Sequence, residues 1–289
     1  MRKIWLITTD HLEKELWFRD EEDFKVGMNF VAIQAACTPE VIVLAFILMS
    51  NHVHFVLIGT HAEAERFIRQ FKKRYSMYYQ KKWGVKKFLR LNGVVIQEIP
   101  WDDEAAERAI AYTLMNCVAA NICSHPSQYP WGTGNCFFSQ TKPSGTQLKD
   151  LSDRTRERIL HSNCDLLPCN WHIGPEGYIP PKEYVDVKAV ENIFHSPKRM
   201  NYFLNTSSKA RKKLEAKDHL PAFRDQIILA TLPDLLQSLF GKNSFQALSR
   251  EERPECLRQI RFRFSADINQ IARVCGLSYA EAARIIDAI

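Results

Sequence analysis

Two histidines lie one residue apart in the apolar segment FILMSNHVHFVLI, which spans residues 46–58. In a β-strand, alternate side chains share a face, so His52 and His54 point one way while Val53 and Phe55 point the other. Each buried imidazole needs partners for its ring nitrogens, and two imidazoles on one face can bind the same cation. The pattern favours a divalent metal site on this strand. The alternative is a pair of hydrogen-bonded core histidines.

A tyrosine and an asparagine lie four residues apart in the segment YTLMNCVAAN, residues 112–121. In a helix this spacing puts Tyr112 and Asn116 on one face. A phenol hydroxyl is a nucleophile, and an amide oxygen can bind a hard cation. The ordinary alternative is a packed tyrosine next to a polar surface residue. The HxH strand earlier in the chain favours the chemical interpretation of this pair.

Between these two motifs, the sequence AEAERFIRQFKKRYSMYYQKKWG predicts an amphipathic basic helix that Gly84 ends. Its cations and aromatic rings predict phosphate contacts and stacking on unpaired bases. The alternative is a solvated helix face without a partner. The candidate DNA-binding residues of this helix are Arg69, Lys72, Lys73, Arg74, Tyr78, Lys81 and Lys82.

The predicted elements follow the order β-α-β-β-α-β-α, which is the ferredoxin-like arrangement with one helix added. The fold class expected is therefore α+β, with an antiparallel sheet whose continuous apolar strands are covered on both faces. Residues 126–150 contain Pro, Gly and Ser and predict a packed strap followed by a linker, and the chain beyond them reads as mainly α-helical. We expect a catalytic domain at 1–145, a helical linker region at 146–244 and a DNA-binding module at 245–289.

The C-terminal segment INQIARVCGLSYAEAARII has the spacing of a helix-turn-helix, with Gly276 in the turn. One helix would bury Ile268, Ile271 and Ala272, and the next would bury Ala282, Ile285 and Ile286. The arginines expected to contact duplex DNA are Arg258, Arg261, Arg263 and Arg284. The alternative is a small helical bundle that only packs on the preceding domain.

The composition sets limits on the class of protein. The 289 residues are 46% hydrophobic, which excludes global disorder, and the formal net charge of +6 permits a polyanionic partner. No run approaches the length needed to span a membrane. The eight cysteines form no CxxC pair, which predicts free thiols and a cytoplasmic protein. Zinc binding by His161, Cys164, Cys169 and His172 is an alternative to buried thiols, although the spacing is loose.

Taken together, four motifs in order resemble the REP-associated tyrosine transposases, a branch of the single-tyrosine HUH nucleases. They are LMSNHVHFVLIG (48–59), RFIRQFKKRYSMYYQKKWG (66–84), YTLMNCVAAN (112–121) and SQYPWG (127–132), and the resemblance covers roughly residues 1–140. Two positions depart from the family pattern. Ser50 replaces a proline, and NCVAA replaces Asn-Pro-Val-Arg-Ala, which removes an arginine that could contact DNA. The C-terminal segment resembles the helix-turn-helix of bacterial replication initiators of the DnaA type.

The resemblance implies an HUH palm and a metal-dependent transposase that nicks and rejoins single-stranded or hairpin DNA. His52, His54 and Asn116 would hold Mg²⁺ or Mn²⁺, a ligand set that suits these ions better than a closed zinc site. Tyr112 would form a 5′-phosphotyrosine link, with Tyr75, Tyr78 and Tyr79 as rival nucleophiles. The enzyme would act as a monomer or homodimer, and the C-terminal module would bind duplex DNA.

Two other functions fit parts of the sequence. A domesticated regulator would bind DNA through the C-terminal helix-turn-helix without cutting it, although all four residues of the candidate chemistry are present. A zinc hydrolase built on the HxH strand would need a third His, Glu or Asp ligand, and none is evident near the strand. The hydrolase would also leave the basic helix and the C-terminal module unexplained.

Overall fold

The first half of the chain forms a four-stranded antiparallel sheet with the strand order β2-β3-β1-β4. The strands are β1 (Lys3–Thr9), β2 (Ile42–Met49), β3 (His52–Gly59) and β4 (Val94–Ile99). Helix α1 (Glu21–Cys37) connects β1 to β2, and α2 (His61–Trp83) connects β3 to β4. The α+β class and the antiparallel sheet are confirmed. The computed structural model describes residues 1–12, 16–86, 89, 92–101, 104–120, 122–218, 225–264, 266 and 268–287.

Both faces of the sheet are covered, as the apolar strands predict. On one face of β3, the ring of Phe55 packs edge-on against Phe67 and Phe71 of α2, each at 5.5 Å between centroids. On the other face, β3 contacts α3 (Ala105–Leu114), which carries Tyr112. The alternation of side chains along β3 therefore separates an aromatic core from a polar layer.

Helix α2 has both of the boundaries that its sequence indicates. Thr60 and Glu63 form a reciprocal capping box at the N-terminus, which satisfies two otherwise free backbone donors. Gly84 ends the helix with a φ of +74°, in the left-handed region that glycine adopts without a steric penalty. The basic helix is confirmed, and its apolar residues lie against the sheet.

The helix that carries Tyr112 is shorter than the sequence suggests. The sequence DDEAAERAIAYTLMNCVAANIC predicts one helix over residues 102–123, with Asp102 or Asp103 able to cap it, but α3 ends at Leu114 and a short helix α4 (Asn116–Ala119) follows. The amide nitrogen of Asn116 donates to Tyr112 O at 2.9 Å and to Thr113 O at 3.1 Å, and the first of these carbonyls would accept the Asn116 backbone N–H in a continuous helix. Asp102 and Asp103, expected as helix caps, lie outside the described residues.

The strap after α4 closes the free edge of β2. Tyr129 donates its hydroxyl to Leu48 O at 2.7 Å, and Leu48 N donates to Trp131 O at 2.8 Å. Gly132 approaches so closely that a Cβ there would lie 2.8 Å from Phe46 O. The strap is thus packed, as predicted, and it satisfies backbone groups that an edge strand leaves free.

The core of the sheet domain extends well beyond the boundary expected at residue 145. Buried side chains from Leu148 to Leu204 join the same hydrophobic cluster as the strands. The helices and strands of this stretch are β5 (Thr146–Gln147), α5 (Asp153–Leu160), β6 (His172–Ile173), α6 (Val187–Phe194) and α7 (Pro197–Asp218). Strands β5 and β6 form a small antiparallel pair, which the mainly helical prediction missed.

A second hydrophobic cluster forms the C-terminal part of the molecule. Its helices are α8 (Asp225–Phe240), α9 (Glu252–Phe264), α10 (Ile268–Cys275) and α11 (Tyr279–Asp287). Gly276 has a φ of +67° in the turn between α10 and α11, and Ile271 and Ala282 are buried on either side of it. The predicted helix–turn–helix geometry is present. No helix among the described residues has the length and apolarity needed to cross a membrane.

Candidate functional site

The four residues singled out for chemistry lie together between β3 and α3. The rings of His52 and His54 are 4.8 Å apart between centroids, and the ring of Tyr112 meets His54 edge-on at 5.5 Å. Asn116 Oδ1 lies 3.4 Å from His52 Nε2, although the two residues are 64 positions apart in the sequence. Strand alternation puts the two histidines on one face of β3, and Tyr112 of α3 and Asn116 of α4 both meet them there.

The hydrogen bonds around His52 determine which ring nitrogen faces Asn116. Nδ1 of His52 lies 2.8 Å from Oδ1 of Asn51, which can only accept, so Nδ1 carries the proton. The lone pair of Nε2 in neutral His52 then points at Asn116 Oδ1. That atom is an oxygen because the amide nitrogen of Asn116 donates to two backbone carbonyls. Two acceptors therefore face each other.

This arrangement suits a cation. Two acceptors that face each other at 3.4 Å repel, and either a positive ion between them or a second proton on His52 removes the repulsion. Ligands about 2.1 Å from an octahedral ion lie about 3 Å apart, close to this separation. The atoms that could bind an ion here are two imidazole nitrogens and one amide oxygen.

His54 is held in a similar way. Its Nδ1 lies 3.1 Å from the hydroxyl of Thr8, its cross-strand neighbour on β1. The side chain of His54 is 1% exposed, and its Nε2 is buried. A hydrogen bond at the far nitrogen is the usual way in which proteins orient a histidine that binds a metal. Among the described residues, no cluster of three His, Cys, Asp or Glu side chains could hold a metal.

Sequence reasoning missed a third histidine at this site. His11 stacks on His52, with 3.8 Å between the ring centroids and an angle of 12° between the planes. It follows the end of β1, and β1 runs antiparallel to β3, so the residues after Thr9 lie beside the start of β3. A histidine immediately after a strand that pairs with the HxH strand was the available signal. This signal is informative only once β1 is known to pair with β3, as the strand order β2-β3-β1-β4 shows.

The four candidate tyrosines differ sharply in their surroundings. Tyr112 is partly exposed beside His54, whereas Tyr75, Tyr78 and Tyr79 are buried on the other side of the sheet. Tyr75 donates its hydroxyl to Trp17 O, and Tyr78 donates to Asp23 at 2.9 Å. Burial raises the pKa of both phenols well above the usual value of 10. These tyrosines are unsuited to attack, and the geometry favours Tyr112.

The basic helix lies across the sheet from the histidines. Arg69, Lys73 and Lys81 are exposed on α2, in keeping with a surface that could contact phosphates. Lys72 donates to Asn92 O, and Lys82 forms ion pairs of 2.7 and 2.8 Å with Asp20 and Asp23, so these two cations are already engaged.

The two remaining candidates on α2 differ in their contacts. Tyr78 is packed between Phe30 and His161 and is buried, a placement that does not favour the stacking on bases expected for it. Arg74 is half-buried and donates to Cys37 Sγ at 3.6 Å.

The C-terminal arginines also separate into two groups. Arg263 is 5% exposed and donates to Gln259, and burial lowers its pKa, a placement that does not favour the phosphate contact expected for it. Arg258 pairs with Glu255 at 2.7 Å and lines a cavity of about 550 Å³ that Asp20 also lines. The packing of α9 against the sheet domain thus agrees with the alternative of a docked bundle. Arg261 is half-buried, whereas Arg284 is exposed on α11.

Three side chains of the loose His/Cys segment after α5 have separate partners. Cys164 Sγ lies 3.6 Å from Cys37 Sγ, and His172 Nδ1 lies 2.6 Å from Glu183. His161 lies 3.2 Å from Glu22. Cys169 is exposed, so the expectation that these thiols are buried is wrong for this residue.

Comparisons of the chain with family models, with curated proteins and with solved structures give no match. No relative therefore bears on the resemblance described above, which rests on four short motifs in a fixed order. We base the functional proposal on the side chains that meet between β3 and α3.

Proposed function

We propose that the protein is a metal-dependent enzyme that nicks single-stranded DNA and transfers the strand through a 5′-phosphotyrosine, in the manner of an HUH transposase. The observation that carries the proposal is the meeting of His52, His54, Asn116 and Tyr112, with the imidazole orientations held by Asn51 and Thr8. The four-stranded antiparallel sheet with β3 at an inner position is compatible with an HUH palm.

The reaction would use a nucleophile on α3 and a ligand set on β3 and α4. His52, His54 and Asn116 would hold Mg²⁺ or Mn²⁺, which polarises the scissile phosphate when it is bound. Tyr112 Oη attacks phosphorus and forms the Tyr–O–P bond, the phenol loses its proton, and the bond from phosphorus to the 3′ oxygen breaks. The departing 3′ oxygen takes up a proton. Attack by a 3′-OH on the phosphotyrosine reverses these steps and rejoins the strands without an external energy source.

A covalent adduct is the decisive product to measure. Labelled single-stranded hairpin DNA from the flanks of the gene is incubated with the protein and Mn²⁺, and a denaturing gel separates free from protein-linked DNA. We expect a linked band with Mn²⁺ and its loss in EDTA. Cleavage that continues undiminished in EDTA contradicts the metal-dependent mechanism.

A second candidate is a DNA-binding regulator that does not cleave. The observation that favours it is the α10–α11 turn, beyond which Tyr279 is 55% exposed and Arg284 is also exposed. The same hairpin experiment separates the two functions. A regulator shifts the DNA on a native gel but gives no linked band at any Mn²⁺ concentration, and truncation before α9 weakens the shift.

A further inference from the structure

Two helices present a continuous set of cations on the side of the sheet away from His52 and Tyr112. Arg69, Lys73, Met77 and Lys81 follow one another at four-residue intervals along α2, so they lie near one face over about 18 Å of helix. Arg154 and Arg158 of α5 lie across a cleft from the end of that row. We call this surface the α2–α5 track, and its members are Arg69, Lys73, Arg74, Lys81, Arg154 and Arg158.

Three adjoining cavities follow the track. Cavities of about 710, 350 and 680 Å³ share lining residues, since Lys73 lines the first two and Arg74 lines the last two. Among the described residues, seven Lys or Arg side chains line them, the six of the track and Lys72, against the two carboxylates of Glu65 and Glu157. The surface is therefore strongly positive over a distance that one small anion would not fill.

Five of the six cations of the track are available for a ligand, and the sixth, Arg74, is half-buried and donates to Cys37 Sγ. Within the described parts of the chain, none of the six has a carboxylate within the 4.0 Å of an ion pair. Arg69, Lys73 and Lys81 are exposed on α2, and Arg154 and Arg158 are exposed on α5. Neighbouring Arg156 differs, because it pairs with Asp153 at 2.9 Å.

The aromatic residues beneath the track indicate which anion it fits. Phe30, Tyr75 and Tyr78 are 3%, 0% and 8% exposed, so they cannot stack on unpaired bases. Proteins that hold single strands combine cations with exposed aromatic platforms, whereas contacts to the duplex backbone need cations alone. Binding to a membrane surface requires several exposed apolar side chains. Among the described residues along the track, Met77 is the large hydrophobic residue that is strongly exposed, so a membrane fits this surface less well.

We propose that the α2–α5 track binds the phosphate backbone of double-stranded nucleic acid, at a site separate from the candidate catalytic residues. The sheet and the thickness of α2 separate the two sites by roughly 15–20 Å. This gives α5, in the region between the sheet and the C-terminal helices, a role in holding a stem or flank. The binding does not require strand cleavage, so it stands or fails independently of the proposed enzyme activity.

The test compares two double variants of the full chain with equal loss of charge. Arg154→Gln with Arg158→Gln removes two track cations and keeps a residue that favours helix. Lys142→Gln with Lys149→Gln removes two exposed lysines before α5 and serves as the control. Fluorescence anisotropy measures binding to a labelled duplex of about 20 base pairs at several salt concentrations. Thermal melting by circular dichroism checks that both variants fold.

We expect the track variant to bind the duplex about tenfold more weakly and to lower the slope of log affinity against log salt by about 2, which corresponds to two lost phosphate contacts. The control should keep the wild-type slope. Equal losses in both variants, or no loss in the track variant, overturn the proposal. If the track variant does not fold, the single variants Arg154→Gln and Arg158→Gln take its place, each with an expected decrease in the slope of about 1 and with Lys142→Gln as the control.

Two further ligands distinguish the partner. Labelled oligothymidine of equal length tests the single strand, and an equal or greater loss there than for the duplex overturns the assignment. Vesicles of phosphatidylserine and phosphatidylcholine test a membrane, and a loss of vesicle binding with unchanged duplex binding also overturns it. Adduct formation with a short single strand should stay at the wild-type level in the track variant, so failure of the enzyme proposal would be seen separately.

Discussion

The two faces of β3 are both buried, but their side chains contact different kinds of groups. On one face, Phe55 packs against two phenylalanines of α2 in a wholly apolar layer. On the other, His52 and His54 are equally buried but contact polar groups from Asn51, Thr8 and Asn116. The difference shows that burial alone does not define a core. The polar face costs desolvation, and its hydrogen bonds must offset that cost.

The tyrosines on the two sides of the sheet extend the comparison. Tyr78 has its hydroxyl engaged by Asp23 in the interior beneath α2, whereas Tyr112 is partly exposed beside His54. A buried, hydrogen-bonded phenol contributes to stability, and an accessible one next to imidazoles can react. Substitutions on the two faces should therefore separate stability from activity.

The largest effect is expected from Tyr112→Phe. Because this change removes only the hydroxyl, adduct formation on single-stranded DNA should fall by at least about 10³-fold while the melting temperature stays within about 2 °C. The measurement is the linked band on a denaturing gel. Tyr202→Phe, at a 62% exposed tyrosine of α7, is the matched control and should retain the band. If the Tyr112→Phe variant still forms an adduct, another residue is the nucleophile.

On the apolar face, Phe55→Ala should lower stability and leave the activity of the folded molecules nearly unchanged. The lost ring leaves a cavity between β3 and α2, so the free energy of unfolding should fall by about 3–5 kcal/mol in urea titrations. Adduct formation per folded molecule should stay within a few-fold of the wild type. Val95→Ala, at a 58% exposed position of β4, should change stability by less than about 0.5 kcal/mol. A small cost at Phe55 would contradict the division between the faces.

His11 tests whether the polar face is organised for an ion. His11→Ala removes the ring stacked on His52 and should weaken Mn²⁺ binding about tenfold in calorimetric titrations, as for other residues that support a ligand. His11→Phe keeps a ring in the stack and should restore most of the affinity. If both variants bind Mn²⁺ like the wild type, His11 has no positioning role.

The smallest effect is expected from Tyr78→Phe. At neutral pH the variant loses the hydrogen bond to Asp23 and about 1 kcal/mol of unfolding free energy. Burial raises the pKa of Tyr78, so its neutral form contributes stability that is fully present below pH 10 and is lost as the pH rises above that value. The difference between wild type and variant should therefore shrink above pH 10. Urea titrations from about pH 8 to about pH 11 measure it, and a constant difference would contradict the assignment.

The local sequence pattern was sufficient to predict the elements that have a strong hydrophobic periodicity or clear capping residues. The HxH strand and the capped basic helix could be predicted because strand alternation and helix caps depend on near neighbours. The break after Leu114 could not, because it depends on whether Asn116 bonds to backbone carbonyls or continues the helix. The core that extends to Leu204 was also missed, since contacts between distant segments leave no periodic signal.

The sequence by itself determined which residues could do chemistry and which of them lie close by local spacing: His52 with His54 on one strand, and Tyr112 with Asn116 four residues apart. Only the tertiary structure decided that His11 joins them, that Tyr75 and Tyr78 are buried, and that the basic helix lies behind the sheet. The physical reason is the range of the interactions. Alternation and helical spacing follow from backbone geometry within a few residues, whereas burial and strand order depend on how segments tens of residues apart pack against each other.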